Sequence, residues 1–570
     1  MTAARVSQRL VGRVAGGAAT DRHSSPDVFG RAPRPDGRHR PCWPAWLWFT
    51  CGAVFCVALG LRVWGVGFGL PRLYHPDEPA YVLQALAVGR GLPNGLTFAN
   101  PPLFKYLLLA EYAVNYGLQR VTGGVRGPQE FIDQFRADPS RLYLLARLTS
   151  AAFGALTAVA ALALGGSVAG YRVGSIAGWL AAVAYLLTRD SHFGVNDALV
   201  TLLVTLGLVF CVRVARGGGR ADYALAGALA GLAFAAKYHG IALVVPLWLA
   251  HWVRPAASRR GSNLAVALVA GVASAVVAFP SLVTETGRVL GDIYLHLYLD
   301  AVGGYDGLDP DGGYVFYARA LATGLGWPLL AATLAGLVLS IKTMHRPLLV
   351  VASLPIALLA SLGAQHLYFA RFLLPAVPAM IVVAAAALDR LFAPRPSVGL
   401  AALLLVASPT LVDALRFDTL LTRADTRTLA SDWIRTNIPA GALLVVDSAP
   451  LGPSLDDDTA HQVLVANESA LFDTTPAEYR ARGVGYVVVS SFTAEVRAID
   501  PAREARRQAF YAALPREASV VQQFRPYTGE REPPFVYDQI YGPFNALEQL
   551  DRPGPTVTIY RFTAGPGTPP

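Results

Sequence analysis

The sequence predicts an all-α polytopic membrane protein, with about eleven apolar helices and a small C-terminal α/β domain. Three observations carry that prediction. Only 15% of the 570 residues are charged and 54% are hydrophobic, against roughly 25% charged in soluble proteins; the mean hydropathy is +0.41. Apolar stretches recur from Trp46 to Leu415, each about 17–25 residues and so long enough for ~30 Å of hydrocarbon. Arginine and lysine fall in alternate loops between them, as the positive-inside rule requires.

Residues 1–44 have no apolar period and hold eight arginines (Arg5, Arg9, Arg13, Arg22, Arg31, Arg34, Arg38 and Arg40). They read as a disordered basic tail. The first apolar run, 46–66, starts too late and has too many successors for a cleaved signal peptide. A mixed segment follows at 67–140. Further spans are expected at 142–166, 171–188, 197–216, 222–237, 239–253, 263–281, 316–341, 347–363, 370–390 and 397–415. The 222–253 region reads either as one bent span or as two short ones.

A cytoplasmic tail makes alternate loops cytoplasmic. Those loops hold Arg172, then Arg213, Arg216 and Arg220, then Arg254, Arg259 and Arg260, then Lys342 and Arg346, then Arg390 and Arg395. The opposite side receives 67–140, 189–196, 282–315 and everything after 416. Domain 416–570 carries short strand-like runs at Ala442–Val446, Tyr486–Ser490 and Thr556–Tyr560. Helix-like runs lie at Thr428–Thr436 and Pro501–Leu514. The net charge of +9 does not indicate nucleic acid, because the basic residues lie between apolar spans. Cys51, Cys56 and Cys211 lie in spans and Cys42 just before one, with no disulfide framework.

The candidate chemistry gathers on the outer side. In Tyr74-His75-Pro76-Asp77-Glu78-Pro79-Ala80-Tyr81, Pro79 suits a first helical turn and Asp77 its cap. Asp197 stands at the outer start of the 197–216 span, after His192-Phe193-Gly194-Val195-Asn196. Each acid reads as a helix cap or, with the other, as a carboxylate site that deprotonates an acceptor or holds a cation. Lysine is rare, with only Lys105, Lys237 and Lys342. Lys105 follows Asn100-Pro101-Pro102-Leu103-Phe104, and Lys237 precedes Tyr238-His239. Both face outward against the general bias, which suits an anionic phosphate or snorkelling to the interface. Arg371, in His366-Leu367-Tyr368-Phe369-Ala370-Arg371-Phe372-Leu373-Leu374-Pro375, has the fork geometry of a phosphate ligand.

Together these motifs resemble the GT-C superfamily of glycosyltransferases, in the protein O-mannosyltransferase and aminoarabinose transferase branch, over about residues 46–440. The resemblance implies sugar transfer from a polyprenyl-phosphate donor to a cell-envelope acceptor on the extracytoplasmic side of the plasma membrane, with inversion at the anomeric carbon. It implies Asp77 as general base, assisted by Glu78 and Asp197. Lys105, Lys237 and Arg371 become donor-phosphate ligands, and His75, Tyr81, Tyr238, His239, His366 and Tyr368 substrate contacts. Some branches hold a divalent metal and others none, so that question stays open. Two other readings compete: a secondary transporter, which would need paired broken helices at mid-membrane, and a non-catalytic envelope-assembly protein, in which the acids are caps only.

Overall fold

The computed structural model describes residues 45–92, 95–304, 306–308, 311–447, 449–466 and 471–563. The 1–44 tail lies outside the described residues. Six described helices are long and apolar enough to cross a membrane, or seven if Gly313–Leu325 and Trp327–Thr343 form one broken span. That pair bends by 113° at Gly326, whose φ of +77° is open to glycine without strain. The 171–188 run is also divided, into Tyr171–Val183 and Tyr185–Arg189, with Ala184 extended between them. At the centre, Val377 to Leu388 are buried on every face, as expected of a helix apolar all round.

The 222–253 region folds back on itself. Arg220–Ala236 runs toward the end of the bundle that holds Asn196, whose Nδ2 donates to the Ala236 carbonyl at 2.6 Å. After a 3₁₀ turn at Tyr238–Leu243, Val244–Val253 returns. At the opposite end Tyr223 Oη meets His251 Nδ1 at 2.6 Å and Arg254 donates to the Gly218 carbonyl at 3.3 Å. Gly227 and Gly231 let the outgoing segment press against Gly261–Ala278, where an added Cβ would strike the backbone of Ala267 and Gly271. Small residues allow such close backbone approach in membrane helices.

The loops expected to be basic gather at one end of the bundle. Arg172 pairs with Asp389 at 3.0 Å, Arg213 with Asp222 at 2.7 Å, and Arg216 donates to the Val168 carbonyl at 2.7 Å. At the other end, the 67–140 segment forms Glu78–Gly89, Leu103–Val121 and Pro128–Ala137. An α/β unit follows the helix Pro396–Leu421. Its strands β1 (Leu443–Asp447), β2 (Gln462–Ala466), β3 (Tyr486–Ser490), β4 (Ala518–Phe524) and β5 (Val557–Phe562) form one sheet in the order β2-β1-β3-β5-β4. The first three are parallel, and β5 is antiparallel to both neighbours. Thr426–Asn437 covers one face, around Leu444, Val488 and Ile559. Pro501–Glu517 covers the other, around Val445, Val487 and Phe510.

Between β4 and β5 the chain leaves the sheet and returns to the helices. Tyr185 Oη donates to the carbonyls of Pro543 and Phe544, both at 2.9 Å. Arg189 donates to the carbonyls of Asp538 (2.7 Å), Gly542 (3.2 Å) and Pro543 (3.1 Å). We call residues 525–556 the strap.

Candidate active site

Asp77 stands at the N-cap of Glu78–Gly89, yet its side chain makes no cap hydrogen bond. Its Oδ2 lies 2.8 Å from Arg371 Nη1. The approach is off the line of the N–H bond, since Arg371 Nη1 has no hydrogen-bond partner by geometry. The contact is therefore an ion pair, and Asp77 remains about one-third exposed to the cavity. Asp197 opens Asp197–Ala215 and likewise leaves the helix start uncapped by any side chain. Its Oδ1 meets Lys237 Nζ at 2.5 Å. The two acids are thus each matched to a cation carried by another segment, and capping does not explain either.

Local backbone sets the two cations. Lys237 is extended where the 220–236 helix ends, which turns its side chain in beneath the Phe372 ring at 5.0 Å. It is buried rather than snorkelling. Arg371 sits in the 3₁₀ segment Ala370–Ala376 ahead of the central helix. Its guanidinium lies between the rings of Phe369 (4.8 Å) and Tyr541 (3.9 Å). Tyr81 completes the group, and burial together with the negative charges of Asp197 and Asp77 raises its phenol pKa well above the usual value.

All of these border one cavity of about 980 Å³. Asp77, Asp197, Lys237, Arg371, Tyr81, Tyr238 and His239 line it, as do Asn100 and Tyr541. One wall is apolar, with Ile241, Val245, Ile293, Leu297 and Leu358. Another comes from the α/β unit, with Leu451, Phe472, Thr493 and Arg503.

Five of the expected site residues lie off the cavity wall. Glu78 is fully buried, with Arg147 Nε on Oε1 and Nη2 on Oε2, both at 2.7 Å, and the Gly194 N–H on Oε1 at 2.7 Å. Three hydrogen bonds and full burial away from the cavity make it a structural anchor. Lys105 donates to the carbonyls of Thr97 (2.8 Å) and Asn100 (2.9 Å), and burial pushes its pKa down to about 7. It ties the turn that carries Asn100. His75 stacks on Phe193 at 4.5 Å and accepts the Asp77 N–H at 3.2 Å; burial and the neighbouring arginines lower its pKa, so it is a neutral prop for the Asp77 backbone. Tyr368 packs on Phe316 at 5.0 Å. His366 is exposed outside the cavity.

Sequence reasoning passed over Arg147, Arg189, Asp538 and Tyr541. The adjacent charges of Arg189-Asp190 at the end of an apolar run were a usable signal. Asp538 and Tyr541 lie in Tyr537-Asp538-Gln539-Ile540-Tyr541, a stretch with no strand or helix period. Among the described residues no three His, Cys, Asp or Glu side chains converge as metal ligands. The two cavity acids are matched to Arg371 and Lys237 instead, so the donor set does not fit a divalent ion, and no step below is routed through one.

The helical bundle with its small α/β unit is a fold found in solved structures of other proteins. The apo oligosaccharyltransferase of Archaeoglobus fulgidus shares it at a TM-score of 0.52 with 15% identity, over 89% of this chain and 75% of that one. The same organism's oligosaccharyltransferase AglB, solved with an inhibitory peptide and a dolichol-phosphate, gives 0.50 and 14%, over 88% and 75%. ArnT from Cupriavidus metallidurans bound to undecaprenyl phosphate gives 0.48 and 17%, over 92% and 99%. Residues 143–283 match the family model described as dolichyl-phosphate-mannose-protein mannosyltransferase. The structural matches show a shared fold, and the family match covers about a quarter of the chain. No curated protein sequence gives a significant match.

Proposed function

We propose that the protein transfers a sugar from a polyprenyl-phosphate donor to a hydroxyl of a cell-envelope acceptor, on the extracytoplasmic side of the plasma membrane. One observation carries the reading: Asp77 with Arg371, and Asp197 with Lys237, face a single cavity that has an apolar wall on one side. The apolar wall suits the first isoprene units. The cations suit the phosphate, and the exposed carboxylate suits a base.

In the reaction, the donor phosphate takes over Arg371 and frees Asp77. The acceptor oxygen attacks the anomeric carbon while Asp77 accepts its proton. The bond between the anomeric carbon and the phosphate oxygen breaks, and the electron pair leaves on the polyprenyl phosphate. Arg371 and Lys237 stabilise that growing negative charge in a water-poor site. Asp197 holds Lys237 in place, and Tyr81 contacts the sugar. We assign eleven crossings, a cytoplasmic 1–44 tail and an extracytoplasmic α/β unit, a topology supported by the clustering of the basic loops at the end opposite the cavity.

Asp77→Asn tests the reading. A positioned general base contributes about 10²–10⁴ in rate, so transfer from a polyprenyl-phosphate sugar drops by that factor while membrane insertion persists. Full activity in this variant refutes the base role. Mass spectrometry of envelope glycans and glycoproteins after gene deletion names the acceptor.

A further inference from the structure

The strap contributes two residues around Arg371. Asp538 Oδ1 accepts the N–H of Ala370, the residue before Arg371, at 3.0 Å. The Tyr541 ring lies against the guanidinium at 3.9 Å. Both are held from behind by Arg189, which donates to strap carbonyls at Asp538, Gly542 and Pro543. Arg189 in turn is fixed by Asp190 at 2.9 Å. Asp538 Oδ2 is buried with no hydrogen-bond partner among the described residues, and its charge acts on Arg371 together with those of Asp77 and Asp197.

This arrangement bears on a conflict inside the site. Asp77 must be an unpaired carboxylate to accept a proton, yet Arg371 is its ion-pair partner. A guanidinium anchored by Asp77 alone would follow that carboxylate and quench it. A guanidinium anchored elsewhere can stay on the cavity wall, bind an incoming phosphate and leave Asp77 to the acceptor.

We propose that Asp538 and Tyr541 are positioning residues of the active site: the strap fixes Arg371 where a lipid phosphate can take it, independently of Asp77. The inference rests on the transferase reading and extends it to the C-terminal unit, which becomes part of the donor site rather than a cover over it. The aromatic face restrains the plane of the guanidinium, and the Asp538 contact fixes the backbone from which the side chain springs.

The experiment is a double-mutant cycle on binding of undecaprenyl phosphate to the full-length chain in detergent micelles. Tyr541→Leu and Asp538→Ala are each measured with Arg371 present and in an Arg371→Gln background. Each weakens binding about tenfold when Arg371 is present and less than twofold when it is not, because residues acting through one another are non-additive. Equal factors in both backgrounds, or an unchanged Kd with Arg371 present, overturn the proposal. Asp538→Ala decides the matter by itself if Tyr541→Leu fails to fold, and Asp538→Asn, which keeps an oxygen for the Ala370 N–H, binds within about twofold of wild type; a tenfold loss in Asp538→Asn overturns the backbone contact as the cause. Wild-type protein that binds the phosphate but transfers no sugar sinks the transferase reading and leaves the cycle interpretable. An additive cycle in an active transferase sinks the strap's role alone.

Discussion

Replacing Glu78 separates an anchor from a catalyst. Its carboxylate takes two 2.7 Å hydrogen bonds from Arg147 and a third from the Gly194 N–H. Both side chains are essentially inaccessible, at 0% and 1%. Glu78→Ala leaves a buried guanidinium unpaired, which costs about 3–5 kcal/mol when one partner of such a pair is removed. Arg147 also donates to the carbonyls of Val66 (2.9 Å) and Phe68 (2.6 Å), so it cannot swing out to solvent without releasing the turn that leads to Asp77. A loss of about 4 kcal/mol is roughly a thousandfold in the ratio of folded to unfolded protein. Thermal unfolding of the detergent-solubilised chain, followed by tryptophan fluorescence, should show it directly. The double variant Glu78→Leu with Arg147→Met removes both charges at similar volume, and should recover more than half of the lost stability and most of the transfer. A Glu78→Ala protein of unchanged melting temperature that has lost all transfer would refute this reasoning and return Glu78 to the chemistry.

Three further predictions use other parts of the chain. Lys105→Met strands the carbonyls of Thr97 and Asn100; it should cost about 1–3 kcal/mol of stability but lower kcat less than tenfold, whereas Lys237→Met should lower it about a hundredfold or more. Equal kinetic losses would show that Lys105 contacts the donor. Burial pushes Asp447 up to about 7, against about 3.9 in an unfolded chain. The folded state therefore holds its proton more tightly, and this group's contribution is greatest below about pH 4 and declines as pH rises to about 7, by at most about 4 kcal/mol. Asp447→Asn should flatten the decline in melting temperature between pH 5 and 8; an unchanged slope would show that other groups set it. Finally, Arg497→Cys, exposed on the α/β unit, in a background without the four native cysteines, should react with an impermeant maleimide added outside intact cells. Labelling confined to inverted vesicles would reverse the topology.

The helices were legible because apolar length is a one-dimensional signal. Every expected apolar run contains helix, and β1, β3 and β5 overlap the three expected strands. β2 (Gln462–Ala466) and β4 (Ala518–Phe524) escaped; both are edge strands and largely exposed. The breaks at Ala184 and Gly326 escaped because hydropathy does not register direction. At the site, Asp77, Asp197, Lys237 and Arg371 could be named from charges at predicted span ends, where an unpaired ion is costly. Which partner each one takes is a three-dimensional fact. Glu78 shares every sequence credential of Asp77, yet the two point to opposite sides of the same turn, one into the bundle and one into the cavity. The strap left no trace, because its contacts to Tyr185 and Arg189 use backbone carbonyls, which any sequence supplies.

The hairpin-like placement of the strap bears on how such proteins can be recombined. Its two ends are pinned by the antiparallel register of β4 and β5, with Phe524 opposite Val557, while its middle is seated among the helices. An exchange of the α/β unit between relatives would therefore carry away a wall of the cavity, and a chimaera would need a bundle cut to receive the foreign excursion. Variation that keeps the sheet and alters only the span between those two strands is the easier path, because loops absorb insertions at little thermodynamic cost. Lineages that diverge in donor use should differ there first, in a stretch that a comparison of membrane helices alone would discard.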